Sequence, residues 1–351
     1  MSKLLYERTN LSSQCSSSTS ELLIFDEVEE EEENESSYRR YNNLISNLPK
    51  GEGWASENHI VHYQGFWYAD IYCPGVLAVQ EHFKARSSDI IIASTPKSGT
   101  VWIKSLLFAT VTRSMYSPTY KNHPLLIDNP HNLVQFLESR FFQSRLPDLE
   151  LLSSPRLFAT HIPFTSLPQT MIDSCSRIVY VCRNLKDVFV SMWHFTNKIR
   201  ATVSKPPLTA MEAFERFCKG VSHFGPFWDH VLVYLRASLE RPQQVLFIKY
   251  EELQADPGIV LKRVAQFVGF PFTSEEENEQ GLVDKILRLS SFENLTSLEV
   301  NKTRIAPHGL GHEIYFRKGT VGDWANYLTS DIIERIDQIT EEKFYGYGLK
   351  F

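Results

Sequence analysis

The sequence predicts an α/β fold, a single domain with a central parallel sheet flanked by helices. Apolar runs rich in β-branched residues recur at IIIAS, RLFATH, RIVYVCR and QVLFIKY, as in strands buried on both faces. Segments with helical spacing of apolar residues separate these runs, the pattern of a parallel sheet covered on both sides. Chemically active side chains, Lys97, His161, Arg183 and Tyr250, lie at or just past the ends of the runs. In open parallel sheets, ligands bind outside the carboxyl ends of the strands.

Composition bounds the rest. A chain of 351 residues with 42% hydrophobic side chains can bury a sizeable core. No internal repeat and no Pro/Gly/Ser-rich linker divides it. The net charge of -6 arises entirely in residues 1–40, which hold ten acidic and four basic side chains. SSQCSSSTS and DEVEEEEENE within that stretch cannot bury enough apolar surface to offset ordering, so residues 1–40 read as a disordered acidic tail before a domain spanning 41–351. The body carries 32 charges of each sign, which argues against nucleic acid bound on a broad basic face. Five scattered cysteines without a C-x-x-C pair suggest reduced thiols rather than disulfides or zinc. With no charged-then-apolar leader and no apolar stretch near the length of a membrane span, a cytoplasmic protein that does not enter a membrane is expected.

The elements follow in order. After IIIAS, the segment VWIKSLLFATVTRSMY has Val101, Ile103, Leu106, Leu107, Thr110 and Val111 at helical spacings. Ser98, Gly99 and Thr100 then lie at a helix N-terminus, where free backbone N–H groups and the helix dipole favour an anion, and Lys97 adds a movable charge. Lys97 precedes Gly99 and no glycine opens the turn, so the ATP-binding order G-x-x-x-x-G-K-[ST] is not met. In ATHIPF, Pro163 keeps a helix from starting directly after His161, and a strand-end histidine facing a cleft suits a general base. Arg183 precedes a helix beginning near Lys186, so its guanidinium can meet a phosphate bidentately, and Ser191 can add a hydroxyl donor. Helical patterns continue through LKDVFVSMWHFTNKI, MEAFERFCKG, PFWDHVLVYLRASL and GIVLKRVAQFVGF. Arg317 and Lys318 beside Gly319 and Gly322 suit a loop closing over a phosphate. Taken singly, a solvated lysine, a structural ion pair and an exposed basic turn explain these sites as well. Three basic sites on one α/β body point to a ligand with more than one phosphate-like group.

TPKSGTVW, ATHIPF, VYVCRNLKDVFVSMWHF, FIKYEEL and FRKGTVGDW, in that order, resemble the soluble sulfotransferases that use 3'-phosphoadenosine 5'-phosphosulfate (PAPS). The resemblance spans roughly residues 50–351, and YQGFW, NHPLL, NPHNLV, FGPFWDH and SFENLTSLEVNK look most like the plant branch, which sulfates small hydroxylated metabolites. It implies the sulfotransferase form of the P-loop nucleotide-hydrolase-like fold. It further implies that Lys97 contacts the 5'-phosphosulfate and its bridging oxygen, while Ser98, Gly99, Thr100 and Val101 hold the 5'-phosphate. His161 would take the acceptor's proton; Arg183, Ser191, Arg317, Lys318 and Gly319 match the 3'-phosphate site. Trp102 and Phe292 match adenine-stacking aromatics, and Tyr250 and Ser290 match positions contacting the base. A sulfuryl group carries less charge than a phosphoryl group, so no metal is expected. The acceptor is a small, largely apolar hydroxylated molecule: flavonoid, hydroxyjasmonate, brassinosteroid and other steroid-like alcohols all remain.

Two departures from the family pattern stand out. Animal members often carry a lysine two residues before the histidine; Ala159 stands there in this chain, leaving Lys97 and His161 to act without it. The K-x-x-x-T-V-x-x-x-E dimer segment of many animal members is not found, so monomer and homodimer are both open. The rival readings are a P-loop kinase or NTPase, with Glu251 imitating a metal-holding acid, and a nucleotide-binding protein without catalysis.

Overall fold

Successive side chains of a strand point to opposite faces, so a run that is apolar at every position has to be covered twice. The computed structural model describes residues 17–55, 59–141, 146–305 and 309–351, with side chains from Glu32 onward. Helix α1 (Ser17–Ser46) precedes a three-stranded antiparallel sheet of β1 (Lys50–Glu52), β2 (His59–Tyr63) and β3 (Phe66–Ala69). Helix α2 (Cys73–His82) leads to β4 (Ile90–Ser94) and α3 (Thr100–Val111), and then come β5 (Leu157–Thr160), β6 (Arg177–Cys182) and β7 (Val245–Lys249). These last four strands form one parallel sheet in the order β5-β4-β6-β7.

The alternation is visible in the core. Ile90, Ile92, Ala159, Val179, Val181 and Ile248 pack on one face with α3 and the helices Pro257–Phe267 and Leu282–Leu289. Ile91, Ala93, Phe158, Ile178 and Tyr180 face the other way, toward α2 and the helices Leu185–Thr202 and Phe227–Glu240. The register aligns Ala93 with Thr160 on one side and with Tyr180 on the other, so the carboxyl ends of three strands finish level.

Helix α1 corrects the expected tail and domain boundary. Its buried side chains Asn34, Ser37, Tyr38, Tyr41 and Ile45 recur at helical spacing. The Tyr38 hydroxyl donates to the carbonyl of Phe141, and that of Tyr41 donates to Glu81 Oε2 at 2.9 Å. Residues 34–40 therefore belong to the packed body, because Tyr38 and the residues after it supply the apolar surface that the acidic run lacks. Residues 1–16 of the expected tail lie outside the described residues. The sheet β1–β2–β3 was not among the expected strands. Its β2–β3 turn is Gln64–Gly65, both at positive φ (50° and 86°), and Trp67 on β3 exchanges backbone hydrogen bonds with Phe224 and Gly225.

The amino ends of the parallel strands are tied by charge. Asp89 and Arg156, 0% and 1% exposed, form a bidentate pair at 2.6 and 2.8 Å, and the Arg156 guanidinium also donates to the carbonyls of Lys84 and Leu149. The Asp89 carbonyl accepts from Arg177 N, and the Arg156 carbonyl from Ile90 N, which joins three strand starts. Removing one member of such a pair leaves a buried charge uncompensated. Arg156→Ala is expected to destabilise the fold by about 3–5 kcal/mol, read as a lower urea midpoint with unchanged slope; a loss under about 1 kcal/mol would mean that water compensates Asp89.

Candidate active site

The turn between β4 and α3 is held in a conformation few side chains adopt. Lys97 has φ of 68° and Gly99 has φ of 97°. A Cβ at Gly99 would lie 2.5 Å from the Tyr250 ring, so glycine is needed for both backbone and space. Thr95 and Ser98 hydroxyls are 2.6 Å apart, and Ser94 and Thr100 hydroxyls 2.8 Å apart, which pins the loop from within. The N–H groups of Gly99, Thr100 and Val101 have no acceptor among the described residues. Free N–H groups at the start of a helix such as α3 suit an anion. Ser98 is fully buried, with its hydroxyl engaged by Thr95. Lys97 Nζ lies 4.2 Å from the Phe195 ring centroid. Burial, then the repulsion of Lys198, Arg183 and Arg317, pushes the Lys97 ammonium down to about 7.

His161 begins one residue past β5. Its Nδ1 lies 2.6 Å from the carbonyl oxygen of Ser94 at the end of β4. A carbonyl can only accept, so Nδ1 carries the hydrogen and Nε2 is left with a lone pair. Burial, partly opposed by that bond, holds the imidazole well below its ordinary value and keeps it neutral. Its backbone N–H donates to Glu138 Oε1 at 2.8 Å, and Thr160 donates to Glu138 Oε2 at 2.9 Å. The rings of Phe136 and Phe224 flank the imidazole with centroids 4.5 and 5.3 Å away. Behind Phe136 sits the fully buried Lys104, its Nζ 3.3 Å from that ring centroid and 2.9 Å from His131 Nδ1.

On the other side of Lys97, Arg183 follows β6, and Asn184 caps the next helix by accepting from Lys186 N at 3.0 Å. Arg183 donates to the carbonyls of Thr320 at 2.6 Å and Lys97 at 3.5 Å, and its guanidinium lies 4.6 Å from the Tyr250 ring centroid. Asp187, one helical turn on, accepts from the backbone of Gly322 and Trp324 and draws the C-terminal loop inward. Arg317 and Lys318 both pair with Asp323. The Tyr250 hydroxyl donates to the Gly319 carbonyl at 3.0 Å, and Gly319, at φ of 66°, lies so close to Phe292 that a Cβ would meet that ring at 2.6 Å.

One cavity of about 1240 Å³ joins these groups. Lys97, Gly99, Thr100, Val101, Trp102, His161, Arg183, Ser191, Tyr250, Ser290, Phe292, Arg317, Lys318 and Gly319 all line it, and Ser98 lies just behind. Four buried polar atoms of lining residues, Trp102 Nε1, Arg183 Nε, Ser290 Oγ and Arg317 Nε, have no partner among the described residues, which suits a polar ligand with several acceptors. Sequence reasoning missed Glu138, Asp187, Asp323, Phe195 and Phe224. Asp187 and Asp323 had a visible signal, lying four residues after Arg183 and five after Lys318; Glu138, Phe195 and Phe224 had none.

A model of the sulfotransferase domain matches residues 87–348. The chain is 48% identical to cytosolic sulfotransferase 7 of Arabidopsis thaliana, over 93% of this chain and the whole of that protein. It is 48% identical to cytosolic sulfotransferase 5 of the same plant, over 88% of this chain and 95% of that one. Its fold is similar to the crystal structure of an Arabidopsis thaliana protein described as a steroid sulphotransferase, with a TM-score of 0.70 and 41% identity, covering 88% of this chain and 94% of that one. A mouse sulfotransferase, SULT7A1, solved with PAP, is similar at a TM-score of 0.64 and 28% identity, covering 82% of this chain and 94% of that one. With a family model spanning most of its parallel-sheet body and relatives of this identity along nearly its whole length, the chain belongs to the sulfotransferase family.

Proposed function

We propose that this protein transfers a sulfuryl group from PAPS to a hydroxyl of a small, largely apolar metabolite in the cytoplasm. The names of its cytosolic plant relatives support the compartment, and the PAP-bound mouse relative supports the donor. The observation that carries the mechanism is the His161 tautomer: its Nδ1 hydrogen is committed to Ser94, so a neutral Nε2 can act as base in the cavity that Lys97 also lines.

The donor supplies a sulfuryl group whose bond to the bridging phosphate oxygen breaks, leaving the electron pair on that oxygen. Lys97 holds the developing charge there, and the N–H groups of Ser98, Gly99, Thr100 and Val101 hold the 5'-phosphate. Arg183, Ser191, Arg317, Lys318 and Gly319 bind the 3'-phosphate. Trp102 and Phe292 flank the adenine, with Tyr250 and Ser290 at its edge. His161 Nε2 removes the acceptor's proton as its oxygen attacks sulfur, so the proton goes to the imidazole and the charge to the departing nucleotide. Phe136 and Phe224 exclude water around that step.

Incubation with labelled PAPS and a panel of hydroxylated metabolites tests the reading, and turnover of ATP with no PAPS binding would sink it. His161→Ala is expected to abolish transfer while changing affinity for 3',5'-ADP by no more than a few-fold. A large loss of nucleotide affinity would move His161 out of the base role. Arg183→Ala should weaken 3',5'-ADP by about 1.5–3 kcal/mol, the scale of a charge-assisted hydrogen bond, and equal affinity would reject its phosphate role.

The pH dependence has two signs. The kcat/KM for the donor reports the free enzyme. Burial lowers the His161 value, so the acid limb should fall well below pH 6.5. Lys97 has to be charged, so the alkaline limb should begin at about 7. Bound phosphate stabilises the ammonium, and in kcat the alkaline limb should move to higher pH. A kcat/KM that stays flat well above neutrality would show that Lys97 keeps its proton without a ligand.

A further inference from the structure

A second histidine lines the cavity near His161, with the opposite tautomer. The Nδ1 of His223 accepts from the backbone N–H of Ala69, at the end of β3, at 2.9 Å. Burial pushes this imidazole down to about 3 and keeps it uncharged. A neutral ring that accepts at Nδ1 carries its hydrogen on Nε2. His161 is the reverse, with its hydrogen on Nδ1 facing the Ser94 carbonyl and a lone pair on Nε2. One ring can take a proton from a ligand, and the other can only donate to one.

The backbone fixes where His223 stands. Phe224 N donates to the Trp67 carbonyl at 2.6 Å and Trp67 N to the Gly225 carbonyl at 2.8 Å, which anchors the loop along β3. The Tyr72 ring stacks on the imidazole with centroids 5.9 Å apart and planes 26° apart. Phe224 lies 4.0 Å from His223 and 5.3 Å from His161, centroid to centroid, so the two imidazoles are no further apart than those two legs laid end to end. They are close enough to interact electrostatically. His223 Nε2 has no partner among the described residues, yet it is not sealed from open space as Nε2 of His123, His194 and His312 is. The cavity is the space this side chain lines, and the phosphate cradle of Lys97, Arg183, Arg317 and Lys318 makes no use of it.

We propose that His223 is a specificity-determining residue whose Nε2–H donates to a second oxygen of the hydroxylated substrate, while the hydroxyl to be sulfated meets His161 Nε2. The class so selected is an apolar alcohol that also carries a carbonyl or ether oxygen, since an N–H is matched only by a lone pair. This rests on the sulfotransferase reading of the same cavity. His223 takes no part in the transfer itself. A substrate with a methylene at that place leaves a desolvated donor unmatched, and a site built to donate discriminates against such an analogue.

The test uses the full chain with PAPS and a series of hydroxyalkyl phenyl ketones, with a graded number of methylenes between carbonyl and hydroxyl. Each ketone is compared with the analogue that has CH2 in place of the carbonyl. At the best spacing, kcat/KM for the ketone is expected to exceed that for its analogue by roughly 3–10-fold, the scale of one neutral hydrogen bond, carried mainly by KM. His223→Phe should bring the ratio toward one by raising KM for the ketone. His223→Gln, whose amide oxygen can accept from Ala69 N while its NH2 donates, should keep part of the preference. A residue that only held the loop would lower both rates together and leave the ratio unchanged. Binding of 3',5'-ADP to each variant checks that the nucleotide cradle is intact. Equal use of ketone and analogue at every spacing, no ketone accepted at any spacing, or an unchanged ratio in His223→Phe overturns the proposal. Failure of the unaltered protein to bind 3',5'-ADP would instead overturn the sulfotransferase reading, so the two failures are distinct.

Discussion

The hydrogen bond from His161 Nδ1 to the Ser94 carbonyl joins the carboxyl ends of two neighbouring parallel strands at 2.6 Å. It exists only because β4 and β5 pair in the register that aligns Ala93 with Thr160. A slip of one residue would turn every strand side chain to the opposite face and would carry His161 away from Ser94. The same central strand pairs with β6 on its other side, which brings Arg183 level with the Lys97 turn. His161, Lys97 and Arg183 therefore converge because β4 has two parallel neighbours, and the buried pair of Asp89 and Arg156 holds those strands together at the opposite edge.

Convergence of cations has its own cost, which the acidic residues around the cradle limit. Asp187 and Asp323 take up part of the field of Arg183, Arg317 and Lys318 and fix the C-terminal loop against the helix Leu185–Thr202. They do not saturate it. Among the described residues, Arg183 Nε and Arg317 Nε stay buried without partners, as do Trp102 Nε1 and Ser290 Oγ. Buried donors left this way are costly in a folded protein, so their grouping around one cavity marks where a ligand with several acceptors contributes most.

The parallel sheet and its strand-end residues were legible because each strand is a short apolar run with its functional side chain attached directly to its end. Lys97, His161, Arg183 and Tyr250 needed no knowledge of distant partners. Glu138 did: it acts on His161 across 23 residues, from a four-residue helix with no periodic pattern of its own. Phe224 was illegible for the same reason, reaching the site through a loop bonded to β3. The hairpin β2–β3 carried a local sign in Gln64–Gly65, but its strands are short and rich in aromatics that suit other elements equally. The acidic run dominated the reading of the first residues, although Tyr38 and Tyr41 lie on a helical face that the body covers. Composition averages over such a face, whereas packing depends on it.

The position of Lys97 ahead of Gly99 has a physical consequence beyond excluding an ATP loop. At φ of 68° the lysine backbone is in the left-handed region, which costs a non-glycine residue about 1–2 kcal/mol. In that conformation its carbonyl meets Arg183, its Nζ lies over the Phe195 ring, and the N–H groups after it remain open at the start of α3. The ammonium is thus held apart from the helix end, in a half-buried position where other cations and lost hydration lower its proton affinity. An anion reaching that point gains more from Lys97 than it would from a hydrated surface lysine, because its charge offsets a repulsion already present. In the transfer proposed above, that gain would grow as charge collects on the leaving oxygen, so the strained turn would place its strongest interaction on the atom whose charge changes.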